Sequence, residues 1–482
     1  MPEVYAAFAG CEPAVKPASL RPTIRHMFER HFEKTTDIPA PQREVFAWHT
    51  REGAFQRLTP PWDPTTVLHY GGIRDGERVI LRVVAPWPRK WIAEHEGYID
   101  GLQFKDRQVK GPFPKWIHTH RVEPSLDGDP TRCVMRDSID FKLPAGPLGV
   151  IAYSLFMRKQ IDAMFDHRHA TLLADMIDHQ RYGQDRKLTV AITGASGMLG
   201  SALSAFLSTG GHTPRPVARR DGLTFDLNAI AGADVLVHLA GEPIAQRWNQ
   251  DVKDRIRRSR VDRTRLLCEQ LARMSDADRP KVLLSGSATG IYGDRGTNIL
   301  TEDSRPGEGF LADVAKDWED ATAAAQDAGM RVVHLRTGIV LHPRGGALGK
   351  MLPAFKLGLG GRLGSGDQYM SWITQDDHVR AMVYAMFDEN MSGPVNLVSP
   401  EPVTNQAFTK TLGRVLRRPT VLPAPRFALN AAFNGMADEA LLTSHRVEPM
   451  RLLASGFTFR QPHLEQALRE LLGRHSSPKN KT

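Results

Sequence analysis

The sequence predicts a doubly wound, parallel α/β sheet with a small, mostly helical tail, preceded by a separate α+β domain. Three observations carry this prediction. At 482 residues the chain exceeds what one hydrophobic core serves, so two or three domains are expected. From Lys187 onward, nearly continuous apolar runs alternate with amphipathic stretches, the pattern of strands buried on both faces beneath helices. Before that point the strand-like runs are mixed in polarity, and "HQRYGQDRK" (179–187) breaks both periodicities and reads as a linker. The boundaries that follow are 1–180, 187–392 and 393–475.

In the first domain, "VFAWHTREGAFQRLT" (45–59) has apolar and aromatic residues at helical spacing. Strand-like runs follow at "RVILRVV" (78–84), "KWIHTHRVEP" (115–124) and "RCVMRDSIDFKL" (132–143), and then a long helical pattern, "SLFMRKQIDAMFDHRHATLLADMI" (154–177). A sheet closed by one long C-terminal helix can enclose an apolar cavity. This order of elements, with "FKDRQVKGPFPKWIHTH" (104–120), resembles the START-like, polyketide-cyclase-like (SRPBCC) helix-grip family. The resemblance implies a hydrophobic ligand in this domain. His118 and His120 stand two apart on a strand and so point to one face. No third ligand is evident in the sequence, so they read as cavity-lining or hydrogen-bonded residues and no metal is expected.

Strand candidates of the second domain are "LTVAIT" (188–193), "RPVAR" (215–219), "ADVLVHLA" (233–240), "KVLLSGS" (281–287) and "RVVHLRT" (331–337). The first runs into Gly194-Ala195-Ser196-Gly197-Met198-Leu199-Gly200, a GxxGxxG turn opening a helix. Gly194 makes the tight turn, Gly197 admits a pyrophosphate close to the backbone, and Gly200 allows close helix–strand packing, while free N–H groups bind the anion. At the end of the second strand an acid would accept from the ribose 2′-OH of NAD. Arg219 and Arg220 stand there instead, which favours the extra phosphate of NADP(H). Asp226, followed by Leu227, falls where it could touch the adenine. In the tail, "VTNQAFTKTLGRVL", "ALNAAFNGMADEALLTSHRVEPMRLLASGF" and "LEQALRELLG" read as helices.

Together "ITGASGMLG", "VHLAGEPIAQRW", "SGSATGIYGD", "TEDSRPGEGFL", "LRTGIVL", "GSGDQYMSWI" and "NLVSPEPVTNQAF" resemble the atypical extended short-chain dehydrogenase/reductases, epimerase-like proteins with their own C-terminal domain. The resemblance spans about 188–475 and implies a Rossmann-type fold. It further implies NADP(H) contacts from Arg219, Arg220, Asp226, Leu227, Glu242 and Arg247, with Leu239, Ala240 and Gly241 in the loop beneath the cofactor. Bottom-up, Glu242 and Arg247 follow a strand at the carboxyl edge, where such sheets bind ligands.

In that family a tyrosine exchanges the proton, a lysine four residues on lowers its pKa, and a serine orients the substrate oxygen. Ser287 matches the serine. Tyr292 follows it by five residues, in a turn that is usually structural in extended members. Where the tyrosine of YxxxK belongs, the chain offers Phe310 and Leu311, and none of its eight tyrosines has a lysine four residues on. Two readings stand. In one, Ser287 and Tyr292 are catalytic in an NADP(H)-dependent oxidoreductase or epimerase acting on a small carbonyl or hydroxyl compound. In the other, the chain is a catalytically silent NADP(H)-binding regulator or scaffold. Met351, Leu352 and Phe355, at helical spacing beside glycine-rich loops, read either as a packed helix or as the lining of a substrate pocket, which would then be apolar. Asp376 and Asp377 read as caps of the helix that follows.

The net charge of +9 raises nucleic acid as a partner. The densest basic run, "VKDRIRRSRVDRTR" (252–265), is broken by acids and carries apolar residues at helical spacing, so it reads as a solvated helix face, and no nucleic-acid motif accompanies it. Three scattered cysteines exclude a disulfide framework. The N-terminus lacks a secretory pattern and no apolar run spans a bilayer, so a cytoplasmic protein is expected.

Overall fold

The computed structural model describes residues 28–84, 88–183 and 186–474. The N-terminal segment read for a leader, with Cys11, lies outside the described residues. Cys133 and Cys268 are both buried, free thiols.

The first domain is built on seven antiparallel strands: β1 (Glu29–Ile38), β2 (Thr66–Tyr70), β3 (Arg78–Val83), β4 (Arg89–Ile99), β5 (Gln103–Lys110), β6 (Lys115–Pro124) and β7 (Cys133–Lys142). Their order, β1-β7-β6-β5-β4-β3-β2, is a meander whose first strand returns to the last. Alternation along β6 buries Trp116, His118, His120 and Val122 on one face. Against that face packs the helix α3 (Arg158–Gly183), entered through a π-helical turn at Tyr153–Met157. Leu172 and Met176 of α3 join Trp48, Phe104 and Met135 in one apolar cluster. Ile161 and Phe165 join Trp116 and Phe141 in another. The helix expected over 45–59 is two helices, α1 (Gln42–Thr50) and α2 (Ala54–Leu58). Gly53 breaks it, with φ +93° and so little room that a Cβ would stand 2.7 Å from Ala205 Cα of the second domain. The helix expected to end near 177 runs to Gly183 and takes in the first half of the supposed linker.

The second domain carries six parallel strands, β8 (Thr189–Thr193), β9 (Thr213–Val217), β10 (Val235–His238), β11 (Val282–Ala288), β12 (Arg331–Thr337) and β13 (Gly393–Leu397). Their order is β13-β12-β11-β10-β8-β9. The chain starts in the middle of this sheet, winds to one edge and then to the other. Helices α4 (Met198–Thr209), α5 (Phe310–Asp320) and α6 (Gln375–Phe387) pack on it. Two sequence expectations change here. β9 ends at Val217, so Arg219 and Arg220 lie in the loop beyond it. β13 is an edge strand of this sheet, so the helical tail begins after it and not at 393. The tail is tied back by short pairings, Ile299–Leu300 with Arg446–Val447 and Tyr369–Met370 with Val403–Thr404.

Buried ion pairs hold the two domains together. Arg380 of α6 donates to both carboxylate oxygens of Asp178 on α3, at 2.6 and 2.9 Å. Arg57 of α2 reaches Asp175 on α3 and Asp376 on α6, the latter at 2.8 Å. Asp376 and Asp377 are therefore not the cap of α6. That role belongs to Thr374, whose Oγ1 accepts from the Asp377 N–H at 3.2 Å.

Candidate nucleotide site

The loop from β8 to α4 forms at the carboxyl edge of the sheet, between β8 and β10, where the strand order reverses and open α/β sheets bind ligands. Gly194 has φ +70°, and a Cβ there would stand 3.1 Å from Ala240 N. A Cβ on Gly200 would collide with the Gly194 carbonyl oxygen. The loop is thus pressed between α4 and the residues after β10. α4 starts at Met198 behind Gly197 with no side-chain cap, so its first N–H groups are left for a ligand. Ala195, Ser196 and Leu199 complete this turn. Leu239 and Ala240 are fixed by Thr193 Oγ1, which accepts from their N–H groups at 3.2 and 3.3 Å. Gly241 continues the same loop. Beneath it, Thr193, His238, Thr264 and the Trp318 indole form a buried hydrogen-bonded chain. Burial, with Arg263 adding to it, pushes His238 down to about 4, so this imidazole is neutral near pH 7.

The arginines divide. Arg220 donates to Asp226 Oδ1 at 2.7 Å, and Asp226 also caps the short helix beginning at Leu227, so this acid and this base are already occupied with each other. Arg219 is exposed. Close to it is a residue the sequence reading placed on a solvated helix face. Arg263 follows a π-helical segment, Arg258–Asp262, inserted between the helices Gln250–Arg257 and Arg263–Ala272. Its Nε is buried without a hydrogen-bond partner. Burial first, then Arg219, weaken its hold on its proton, with Glu242 opposing. Arg260, from the π segment itself, lies 5.3 Å over the Trp318 ring, and a Cβ on Gly241 would stand 3.4 Å from its guanidinium. Burial pushes Arg260 down to about 10, against the pull of Glu242. The basic run is therefore not a uniform solvated face. Only the extra residue of a π turn, which no periodicity count shows, re-aims these two side chains toward the sheet edge. Glu242 accepts from Gln246 Nε2 at 3.2 Å and has its own N–H bound to Ser259 Oγ. Arg247 is exposed beside buried Trp248.

Ser287 stands near the carboxyl end of β11, and its Oγ donates to Glu319 Oε1 at 2.6 Å. Burial would raise the Glu319 carboxyl, but the paired Arg336 outweighs it and holds the group below its ordinary range. Tyr292 is fully buried. Its hydroxyl donates to Asn396 Oδ1 at 2.7 Å and accepts from Arg336 Nη1 at 2.9 Å. Burial pushes its pKa up despite Arg336 and Asn396. Ser287 and Tyr292 thus belong to one network through Glu319 and Arg336, but Tyr292 faces the interior. α5 begins at Phe310, so Phe310 and Leu311, the residues the sequence offers for the usual tyrosine, lie in its first turn, with Val314 and Ala315 one turn on. The N–H groups of Phe310 and Leu311 are held by Glu439 from the tail. Leu352 and Phe355 are buried in the core with Phe408, Leu412 and Leu468, and Met351 packs against them. These three do not line an apolar pocket.

Residues 190–397 match the model of the NAD dependent epimerase/dehydratase family, and residues 424–471 match a domain of unknown function. Over 292 residues the chain is 44% identical to an epimerase family protein of Mycobacterium bovis, covering 58% of this chain and 96% of that one. It is 34% identical over 295 residues to the human epimerase family protein SDR39U1, covering 59% of this chain and 100% of that one. The crystal structure of that human protein with NADPH aligns with a TM-score of 0.55 at 32% identity, over 59% of this chain and 99% of that one. A nucleoside-diphosphate sugar epimerase from Corynebacterium glutamicum aligns across both domains. It has a TM-score of 0.73 and 35% identity, over 92% of this chain and 90% of that one. This chain belongs to the NAD-dependent epimerase/dehydratase family.

Proposed function

We propose that this chain binds NADP(H) at the carboxyl edge of the parallel sheet and acts as an oxidoreductase or epimerase on a small carbonyl or hydroxyl substrate. The observation that carries the cofactor choice is Arg263, whose Nε is buried without a partner and which feels the positive charge of Arg219 from the loop beyond β9. An unpartnered, buried Nε on Arg263 beside a like charge calls for an anion, and a ribose 2′-phosphate fits. The glycine cradle and the uncapped start of α4 suit a pyrophosphate, and a relative solved with NADPH supports the same reading. Arg220 and Asp226, closed on each other, are not needed for it. When bound, the nicotinamide supplies or accepts a hydride.

Ser287 is suited to orient the substrate oxygen. Its proton is committed to Glu319, so its lone pairs are left to accept from a substrate hydroxyl. Tyr292 fits a structural role rather than that of proton carrier, because its hydroxyl is sealed between Asn396 and Arg336. With the core position of Leu352 and Phe355, the case for an apolar substrate loses its support. The first domain's sheet and long helix agree with the START-like, helix-grip reading and a ligand of its own. A second reading, a regulator that binds NADP(H) without turnover, is favoured by the sealed tyrosine and by Phe310 and Leu311 where a proton-carrying tyrosine would be expected.

Titration of NADPH and NADH against wild type, Arg219→Ala and Arg263→Ala tests the cofactor. Wild type is expected to prefer NADPH. Each variant should weaken NADPH by about 10- to 100-fold, the worth of a charge-assisted hydrogen bond, and leave NADH unchanged. Equal affinities in wild type would sink the reading. A screen of carbonyl substrates for NADPH oxidation, with Ser287→Ala as control, separates enzyme from regulator.

A further inference from the structure

We infer that the first domain holds a divalent transition metal, zinc by its donor set, on Asp106 Oδ2, His118 Nδ1 and His120 Nε2. The site lies outside the nucleotide cleft and does not depend on how that cleft is read. Its residues come from the pleat and register of three strands. Asp106 on β5 faces His118 on β6 directly, and His120, two residues on, faces Asp137 on β7. All four therefore point to the face covered by α3.

The distances fit a small tetrahedral ion. Asp106 Oδ2 lies 3.2 Å from His118 Nδ1 and 3.5 Å from His120 Nε2, and one ligand atom from each residue falls within 4.8 Å of the others. Zinc bonds of about 2.0–2.1 Å in tetrahedral geometry place ligand atoms roughly 3.3 Å apart. The far sides of both rings meet a single carboxylate. Asp137 Oδ1 lies 3.1 Å from His118 Nε2 and 2.6 Å from His120 Nδ1, and Asp137 Oδ2 lies 2.9 Å from His169 Nε2. A carboxylate behind each ligating imidazole is the arrangement that fixes its tautomer and raises its basicity toward a metal.

Charge balance points the same way. A neutral imidazole has one N–H and one lone pair. His118 Nε2 hydrogen-bonds Asp137, so its lone pair meets the Asp106 carboxylate, which is repulsive unless a cation sits between them, and His120 Nδ1, 2.6 Å from Asp137, makes no hydrogen bond and is left without a satisfied partner. Protonating both rings instead would balance the two carboxylates, but it would set two cations with ring centroids 3.8 Å apart inside the domain. A single metal ion satisfies both lone pairs and the carboxylate together. His95, opposite Asp106 on β4, is only 6% exposed, and its Nδ1 is buried without a partner, so a further polar ligand is called for on the same face. The rings are also held in place. His120 stacks on Phe104 at 4.2 Å and 16°, and His118 meets Phe165 edge-on at 88°. Three protein ligands leave a fourth position, which suits water or an oxygen of a small organic ligand.

The test uses the full chain, stripped with a chelator and titrated with Zn²⁺ and with Co²⁺. One metal per chain and an intense visible cobalt band of tetrahedral type are expected. Asp106→Asn and His120→Ala should abolish both signals, and Asp137→Asn should weaken binding by about 10- to 100-fold. Circular dichroism reports whether each variant folds. If His120→Ala does not, the isosteric Asp106→Asn decides. A wild-type chain that takes up neither metal overturns the inference, leaving a hydrogen-bonded polar network. So does a metal that binds Asp106→Asn as well as wild type.

Discussion

Tyr292 and Ser287 show how far a residue's neighbours in sequence can mislead about its chemistry. "SGSATGIYG" presents a serine and a tyrosine five residues apart at the end of a strand, which reads as a half-built proton relay. The serine sits near the carboxyl end of β11, while the tyrosine turns under the sheet to bond Asn396 on β13 and Arg336 on β12. Both partners come from strands far along the chain, so nothing local reveals the seal. Tyr292→Phe should therefore cost about 1–3 kcal/mol of stability, the price of leaving a buried charged donor and an amide oxygen unsatisfied. Urea unfolding checks this, and NADPH affinity should stay unchanged. Gly200→Val is expected to abolish nucleotide binding, read by the same cofactor titration, because its Cβ would meet the Gly194 carbonyl oxygen.

At the scale of elements, caps and interruptions decide where side chains point. Glu439 accepts from the N–H groups of both Phe310 and Leu311, so a carboxylate from the tail neutralises the positive end of α5. Glu439→Ala should lower stability by about 1 kcal/mol, measured as a shift in the urea midpoint. The π segment at Arg258–Asp262 is the counterpart that was not legible. Helical spacing is visible on either side of it, in Val252, Ile256 and Leu267, which are buried, but the inserted residue that turns Arg260 and Arg263 inward leaves no pattern. Gly53, by contrast, stood within an expected helix as a visible break signal. In the first domain β6 and β7 were legible because their alternation is strong. β1, β4 and β5 were not, because their exposed faces are rich in charge and dilute the period of two, and β2, an edge strand exposed along nearly its whole length, shows no alternation.

At the scale of the whole molecule, the domains are joined by charge rather than by apolar surface alone. Arg380 is bound to Asp178 across the junction and to Asp377 within α6. Arg380→Ala would leave both acids buried and unpaired, costing about 3–5 kcal/mol, and calorimetry should then separate the unfolding of the two domains. A pH effect is also expected. Burial pushes His238 and His445 down to about 4 and His378 to about 3, against an unfolded value near 6.5. The unfolded chain then binds more protons below that value, so these residues lower stability as pH falls from about 6.5 toward 4. Melting temperature followed from pH 7.5 to 4.5 should fall, and a flat profile would show that the buried imidazoles are not neutral. The sequence by itself determined the parallel sheet, the glycine cradle and the place of Ser287, since each depends on residues within one strand–turn–helix unit. Only the tertiary structure decided that Tyr292 is sealed, that Arg263 joins Arg219, that Leu352 and Phe355 are core, and that Asp106 completes a set with His118 and His120. Those pairings are made across strands and domains, by burial and register, which local spacing does not encode.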